Sequence, residues 1–200
     1  MRKVINHYKT VSTHRKAVRK LMFKLGPKFY IQGLTHDLSK YSPSEFGPSV
    51  KYWNGKYSPT VNERKDHGYS GAWLHHKGRN RHHFEYWVDY SEASDTPKPV
   101  IMPPKYFCEM VCDRIAACKT YQKDKYTDAS PYIYFDERTR TDKGMHKVVK
   151  KALERCLYYL KEKGEDEFFR ELRTVYERFG NKGTLMYSMI NFENSQYFRV

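Results

Sequence analysis

Apolar residues recur at steps of three and four along several segments of this 200-residue chain, and this spacing restricts the fold more than any other feature. Such a period places side chains on one face of an α-helix, whereas strand-like alternation is weak except in 131–135. Prolines punctuate residues 42–62 and 91–104, so we expect mainly loop there, with a helical turn around Glu45. The expected helices cover about 7–25, 28–40, 104–123, 144–162 and 165–179. The chain is therefore expected to be mainly α.

Composition narrows the class of protein. The formal net charge is +14 and the isoelectric point is near 9.5, so a polyanion, a phosphate-bearing substrate or an acidic partner is expected. Hydrophobic residues make up 39% and aromatic residues 16% of the chain, which is too much for a disordered protein. No apolar run reaches the length of a membrane span, and the four cysteines suit reduced thiols rather than a disulfide framework. We therefore expect a cytoplasmic protein with no membrane partner.

The dipeptide His36-Asp37, in the run LTHDLSK, is the most informative motif. An imidazole nitrogen and a carboxylate oxygen are both good ligands for transition metals, and adjacent residues deliver both to one point. We expect this pair in the last turn of the helix over 28–40. Three further elements hold donors of the same kind, which are His14, the doublets His75-His76 and His82-His83, and Asp113. These elements together indicate a candidate metal site.

The order of these residues resembles that of the HD-domain superfamily of metal-dependent phosphohydrolases. The HDLSK run is similar to the superfamily's HD-x-G-K turn, with Ser39 in the position of the glycine. The segment WLHHKGRNRHH resembles the paired histidines of binuclear members, and EMVCDRIAA resembles the helix that brings the final aspartate. The resemblance implies a helical bundle with a helical C-terminal extension. Residues 1–123 would be the metal-binding core, and 124–200 would be an extension whose aromatic tail packs on it.

The resemblance also implies the roles of individual residues. The primary metal site would comprise His14, His36, Asp37 and Asp113. Asp37 would bridge a second ion, held by one histidine of His75/His76 and one of His82/His83. One or two ions of Mn, Fe, Co, Ni or Zn would activate a water for attack on phosphorus. Asp37 and Lys40 would be the catalytic side chains. The cations expected to meet phosphate oxygens are Lys40, Lys77, Arg79 and Arg81.

Other interpretations stay open at this point. His14 and His7 lie on an apolar stripe and are also consistent with core histidines, and residues 75–83 suit either a helix or a loop at Gly78. The same ligands would serve a di-iron oxygenase of the HD type, since histidine and carboxylate suit iron. The basic and aromatic residues would also suit a non-catalytic nucleic-acid-binding module. We expect a small phosphorylated substrate, foremost a nucleotide, with nucleic acid second, and the aromatic tail favours a homodimer.

Overall fold

The computed structural model describes residues 1–91, 94–139 and 144–190, which form ten α-helices and one antiparallel pair of strands. The expected mainly α fold is confirmed. The helices are α1 (Arg2–Lys24), α2 (Tyr30–Thr35), α3 (Pro43–Tyr52), α4 (Pro59–His67), α5 (Gly71–Lys77), α6 (Pro104–Gln122), α7 (Ser130–Tyr134), α8 (Lys147–Lys163), α9 (Glu165–Phe179) and α10 (Thr184–Met189). The strands are β1 (Val88–Ser91) and β2 (Ser94–Pro99). Over these residues, none of the helices combines the length and the apolar character needed to cross a membrane.

Helices α1 and α6 pack together at the centre of the fold. Val18 and Met22 of α1 and Phe107 and Ile115 of α6 are completely buried, as the three-and-four spacing predicts. Burial of side chains of this size contributes about 1.5–3 kcal/mol each. Because His14 lies on the same face of α1 as Val18, this packing turns its imidazole towards α6.

The C-terminal helices contribute to the same hydrophobic core. Leu153 of α8, Phe168 and Leu172 of α9 and Tyr187 of α10 are buried within it, and Tyr187 donates a hydrogen bond to the carbonyl oxygen of Met102. The boundary proposed at residue 123 stays a prediction. The expected aromatic tail is the last twenty residues, 181–200. Its first half contains α10, and residues 191–200 lie outside the described residues.

Three expectations about local structure are wrong. The expected loop over 91–104 contains β2, which pairs with β1 in the register Val88↔Pro99. Each strand of a two-stranded ribbon has a free edge, and that edge tolerates the prolines of β2. Residues 42–62 include α3 and the start of α4 instead of mainly loop. The strand-like run at 131–135 is helical: residues 131–134 lie in α7, and Phe135 begins a π-helical turn. Pro131 lies in the first turn of α7, where its missing N–H costs little.

The segment 28–40 is also not one helix. Helix α2 ends at Thr35, and a short 3₁₀ helix covers Leu38–Tyr41. Between them Asp37 adopts the left-handed conformation, with φ of 54°. A non-glycine residue in this region costs of order 1–3 kcal/mol and breaks any helix that reaches it. His36 and Asp37 therefore form a sharp turn after the helix and not its last turn.

Candidate metal centre

The His36-Asp37 turn presents both side chains to the interior, where His36 is 2% and Asp37 is 1% exposed. Arg15 of α1 holds the turn in place. Its Nε donates a hydrogen bond of 2.8 Å to the carbonyl oxygen of His36, and a terminal nitrogen donates one of 3.0 Å to that of Leu34. The strained backbone of Asp37 is thus fixed from the helix that carries His14. Strain of this kind is found most often at functional sites.

Helices α1 and α6 bring His14 and Asp113 to this turn. The Nε2 atom of His14 lies 2.9 Å from Oδ1 of Asp113 and 4.0 Å from Oδ2 of Asp37. His36 Nε2 lies 3.4 Å from the same Asp37 oxygen and 3.6 Å from Asp113 Oδ1. The four residues that were expected to form the primary site therefore converge, with one potential ligand atom from each within 4.8 Å of the others.

The remaining histidines come from the end of α5 and the loop after it. Helix α5 ends at Lys77, so the histidines at 75–76 and 82–83 do not share a helix. Asn80 folds the loop back, because its side-chain nitrogen donates to the carbonyl oxygen of His76 at 2.8 Å and to Ser39 Oγ at 2.8 Å. This contact ties the loop both to α5 and to Ser39, two residues after Asp37.

A second group of potential ligand atoms forms on the other side of Asp37. It comprises Asp37, His76, His82 and His83, again within 4.8 Å of one another. Asp37 Oδ1 lies 3.3 Å from His76 Nε2 and 3.5 Å from His82 Nε2. Since Oδ2 faces His14 and His36, the two oxygens of one carboxylate face two different groups. The structure brings both members of the 82–83 doublet into the second group, but only His76 of the 75–76 doublet.

Two buried glutamates that sequence analysis missed lie behind these histidines. Glu109 Oε1 lies 2.8 Å from His36 Nδ1 and 3.3 Å from His82 Nδ1. Glu45 Oε2 lies 2.7 Å from His76 Nδ1, and its other oxygen lies 2.7 Å from His75 Nδ1. A carboxylate only accepts hydrogen bonds, so the facing Nδ1 atoms carry a hydrogen. In His36, His76 and His82 this leaves Nε2, which faces Asp37, as the nitrogen that a metal ion would bind. Glu109 lies one helical turn before Asp113, which is the only sequence signal for its position.

The donor atoms have the properties that a metal ion requires. Oδ1 of Asp37 and Nε2 of His36, His76, His82 and His83 are buried and make no hydrogen bond. Leaving one such group unsatisfied costs about 1–3 kcal/mol, so five together form an unfavourable arrangement unless a cation joins them. The carboxylates of Asp37, Glu45, Glu109 and Asp113 lie close together, and the ammonium group of Lys40 contacts Asp37 among them. The residues present therefore fit one or two divalent cations.

The electrostatics of the cluster point in the same direction. Burial alone would raise the pKa of Glu109, but hydrogen bonds from His36 and His82 outweigh it and lower this pKa to about 2. Burial would lower the pKa of His36, but the carboxylates of Asp37, Asp113 and Glu109 raise it to about 10. The carboxylates thus stabilise positive charge at His36, whereas burial lowers the pKa of His14 and of His83. A metal ion would supply that charge and displace the proton from the imidazole.

A cavity of about 520 Å³ opens onto both groups. Its lining includes His14, Asp113, His76 and Lys40, whose Nζ lies 2.8 Å from Asp37 Oδ2. Lys40 thus lies beside the first ligand group, and its expected roles in catalysis and phosphate binding stay predictions. The other cations on the lining are Lys56 and Arg114. Aromatic side chains, among them Tyr57, Trp73 and Tyr121, cover much of the remaining wall.

The other expected phosphate contacts lie elsewhere. Lys77, Arg79 and Arg81 do not line this cavity, and Arg81 instead contacts the rings of Tyr86 and Tyr106. These three residues are close to the histidines in sequence but do not lie beside the ligand groups. The reason is that α5 ends at Lys77 and the chain then turns outward as far as Arg81. His75 is likewise directed to Glu45 and belongs to neither ligand group.

The comparison with protein-family models gives one match. The model of a family of unknown function, DUF5662, matches residues 3–158, which include every residue of both ligand groups. No curated protein matches the chain, and no solved structure matches it. Because the family model covers more than half of the sequence, the chain belongs to the family of unknown function DUF5662.

Proposed function

We propose that the protein is a metal-dependent phosphohydrolase of the HD type that acts on a nucleotide or another small phosphoester. The observation that carries this proposal is the position of Asp37 between two groups of histidines. Its Oδ1 lies 3.3 Å from His76 Nε2, and its Oδ2 lies 3.4 Å from His36 Nε2. A carboxylate shared in this way is the arrangement by which a protein holds two cations close together.

The order of the ligands along the chain supports the proposal. His14, the pair His36-Asp37 and Asp113 form the first group, and His76, His82 and His83 complete the second with Asp37. This is the order on which the resemblance to the HD superfamily rests. When bound, divalent cations lower the pKa of a coordinated water and polarise a phosphoryl oxygen. Asp37 and Asp113 supply the negative charge, and the neutral imidazoles supply the remaining donor atoms.

The cavity supports a small, phosphorylated substrate. Its volume of about 520 Å³ falls in the usual range of small-molecule pockets, about 300–1,000 Å³. Lys40 binds a phosphate oxygen at the edge of the ligand groups, and Lys56 and Arg114 also line the cavity. The aromatic residues Tyr57 and Trp73 offer ring faces to the organic part of the substrate. Such a site selects a phosphoester over a neutral ester, because the cations favour the charged group.

A phosphate-release assay tests this function. The purified protein, loaded in turn with Mn, Co, Ni, Fe or Zn, is incubated with a panel of nucleotides and other phosphomonoesters. We expect release of phosphate from at least one substrate, loss of release on chelation, and loss in Asp37→Ala. The exposed substitution Arg79→Ala is the matched control and retains activity. Absence of release with every metal across the whole panel would contradict the proposal.

Measurements of oxygen consumption and of nucleic-acid binding, made on the same protein, separate the two other functions. A di-iron oxygenase would consume oxygen with iron loaded and would stop under strict anaerobiosis, whereas hydrolysis proceeds without oxygen. A nucleic-acid-binding module would bind DNA or RNA in a salt-sensitive manner that chelation leaves unchanged. The phosphohydrolase account predicts hydrolysis without oxygen and predicts that Asp37→Ala removes it.

A further inference from the structure

The carboxylate of Glu109 contacts one histidine from each of the two ligand groups. His36 belongs to the group with His14 and Asp113, and His82 belongs to the group with His76 and His83. The Nδ1 atoms of both lie near a single oxygen, Glu109 Oε1, at 2.8 and 3.3 Å. The two imidazole rings lie side by side, with centroids 4.5 Å apart. Glu109 thus joins the two groups on the side opposite Asp37.

The other oxygen of Glu109 is also held. Gln32 of α2 donates its side-chain N–H to Glu109 Oε2 and lies 3.4 Å from the carbonyl oxygen of Lys105. Glu109 is only 5% exposed, and it lies on α6 among the buried residues Cys108 and Met110. Both of its oxygens therefore have fixed donors, and its side chain has little freedom to serve one histidine at the expense of the other.

From these contacts we infer that Glu109 is a positioning residue shared by both ligand groups. A single substitution of Glu109 therefore weakens the binding of both metal ions. This inference rests on the metal centre of the proposed function. Glu109 fixes the Nδ1–H tautomer of His36 and of His82, which leaves both Nε2 lone pairs directed to the ligand groups. Loss of such an orienting carboxylate usually lowers metal affinity about 10- to 100-fold.

Glu45 provides the matched control, because it has the same chemistry but serves one group. Its oxygens contact His76, a member of the second group, and His75, which belongs to neither. Glu45 is 3% exposed, so its burial is comparable with that of Glu109. Glu45→Gln should therefore weaken the binding of one metal ion, whereas Glu109→Gln should weaken the binding of both. A general loss of packing would not produce this difference.

The test is a calorimetric titration of metal-free protein with Co²⁺, followed by metal analysis after dialysis. We expect two binding steps in the unsubstituted protein. Both dissociation constants should rise about 10- to 100-fold in Glu109→Gln, while Glu45→Gln changes one step and leaves the other within about two-fold. Gln32→Ala leaves Glu109 in place but removes its hydrogen-bond donor, and it should raise both dissociation constants by a smaller factor. This variant replaces Glu109→Gln in the test if Glu109→Gln does not fold.

A spectroscopic readout accompanies the titration. In ¹⁵N-labelled protein saturated with diamagnetic Zn²⁺, the Nδ1–H signals of His36 and His82 should both change in Glu109→Gln, and neither should change in Glu45→Gln. Unchanged Co²⁺ binding in Glu109→Gln, or a change confined to one step, would overturn the inference. These results do not depend on turnover. If the protein binds two ions in this way but releases no phosphate, the proposed activity is contradicted and the shared role of Glu109 still holds.

Discussion

Oδ1 of Asp37 lies 3.3 Å from Nε2 of His76, although the two residues come from different elements, the turn after α2 and the end of α5. Neither atom makes a hydrogen bond, and both are buried. Such a contact between two unsatisfied polar atoms is unfavourable unless something lies between them. Asp37 is therefore the residue around which the candidate centre is built, and the first three predictions below concern its surroundings.

The two histidines of the first doublet should differ in function. His76→Ala removes a member of the second ligand group, so the bound metal should fall from about two ions per chain to one. His75→Ala removes only a partner of Glu45 and should leave two ions, with affinity changed less than about ten-fold. Metal analysis of both dialysed variants provides the measurement. An equal loss of bound metal in both variants would show that His75 and His76 do not differ in metal binding.

Lys40 should affect the substrate more than the metal. Its ammonium group lies 2.8 Å from Asp37 Oδ2 and lines the cavity, so Lys40→Met should lower kcat/KM for the phosphoester about 10- to 100-fold. Bound metal should not fall, because the substitution removes a positive charge from beside the ligands. Steady-state kinetics and metal analysis measure the two effects, with Lys77→Met as the control outside the cavity. A metal-free Lys40→Met protein would refute this role.

Metal ions should stabilise the folded chain. The unsatisfied donors and the clustered carboxylates penalise the metal-free state, and an ion that binds only the folded protein at 100 times its Kd adds about 2.7 kcal/mol. For a chain of this size we expect the Tm to rise by about 5–10 °C on addition of Co²⁺ or Mn²⁺. A thermal scan with and without chelator measures this rise. Asp37→Ala should show a much smaller one, and an equal rise would indicate that the ions bind elsewhere.

A separate prediction concerns pH and the contact between α1, α6 and α9. Burial would raise the pKa of Glu165, but the hydrogen bonds from Lys119 and Lys24 outweigh it, so its pKa in the folded state is lowered. A carboxyl group with a lowered pKa stabilises the fold above its ordinary pKa, and that contribution is lost as the pH falls through the folded value. Glu165→Gln should therefore lower the free energy of unfolding by about 1 kcal/mol at pH 7.

The difference between Glu165→Gln and the unsubstituted protein should shrink below the usual glutamate range, near pH 3 or lower. Urea unfolding at the two pH values checks this. The control is Asp166→Asn, because the exposed carboxylate of Asp166 also contacts Lys24, at 2.8 Å. This substitution should lower the free energy of unfolding by less than Glu165→Gln does. A difference that stays constant across the pH range would mean that the charge of Glu165 contributes nothing.

The long helices could be predicted from the sequence, while the turn at Asp37 and the hairpin could not. Helices α1, α6, α8 and α9 have regular apolar spacing and end at residues such as Gly164, which has a φ of 79°. Nothing in the spacing of 28–40 indicates that Asp37 adopts the left-handed conformation, because contacts from Arg15 hold that turn. The strands β1 and β2 lack apolar alternation, since both are largely exposed.

The ligands of the candidate centre could be predicted in part. His14, His36, Asp37 and Asp113 follow from the order of the motif, and the structure brings them together. Sequence alone did not separate His76 from His75, because adjacent residues differ only in the direction that the end of α5 gives them. The orienting role of the two buried glutamates depends on contacts between distant elements, and no local pattern indicates it.

The most direct test of the central claim is an anomalous difference map, measured at the absorption edge of cobalt from crystals of the Co²⁺-loaded protein. The account predicts two peaks, one on each side of the Asp37 carboxylate. The first would lie among His14, His36 and Asp113, and the second among His76, His82 and His83. Peaks at other positions, or none beside Asp37, would contradict it.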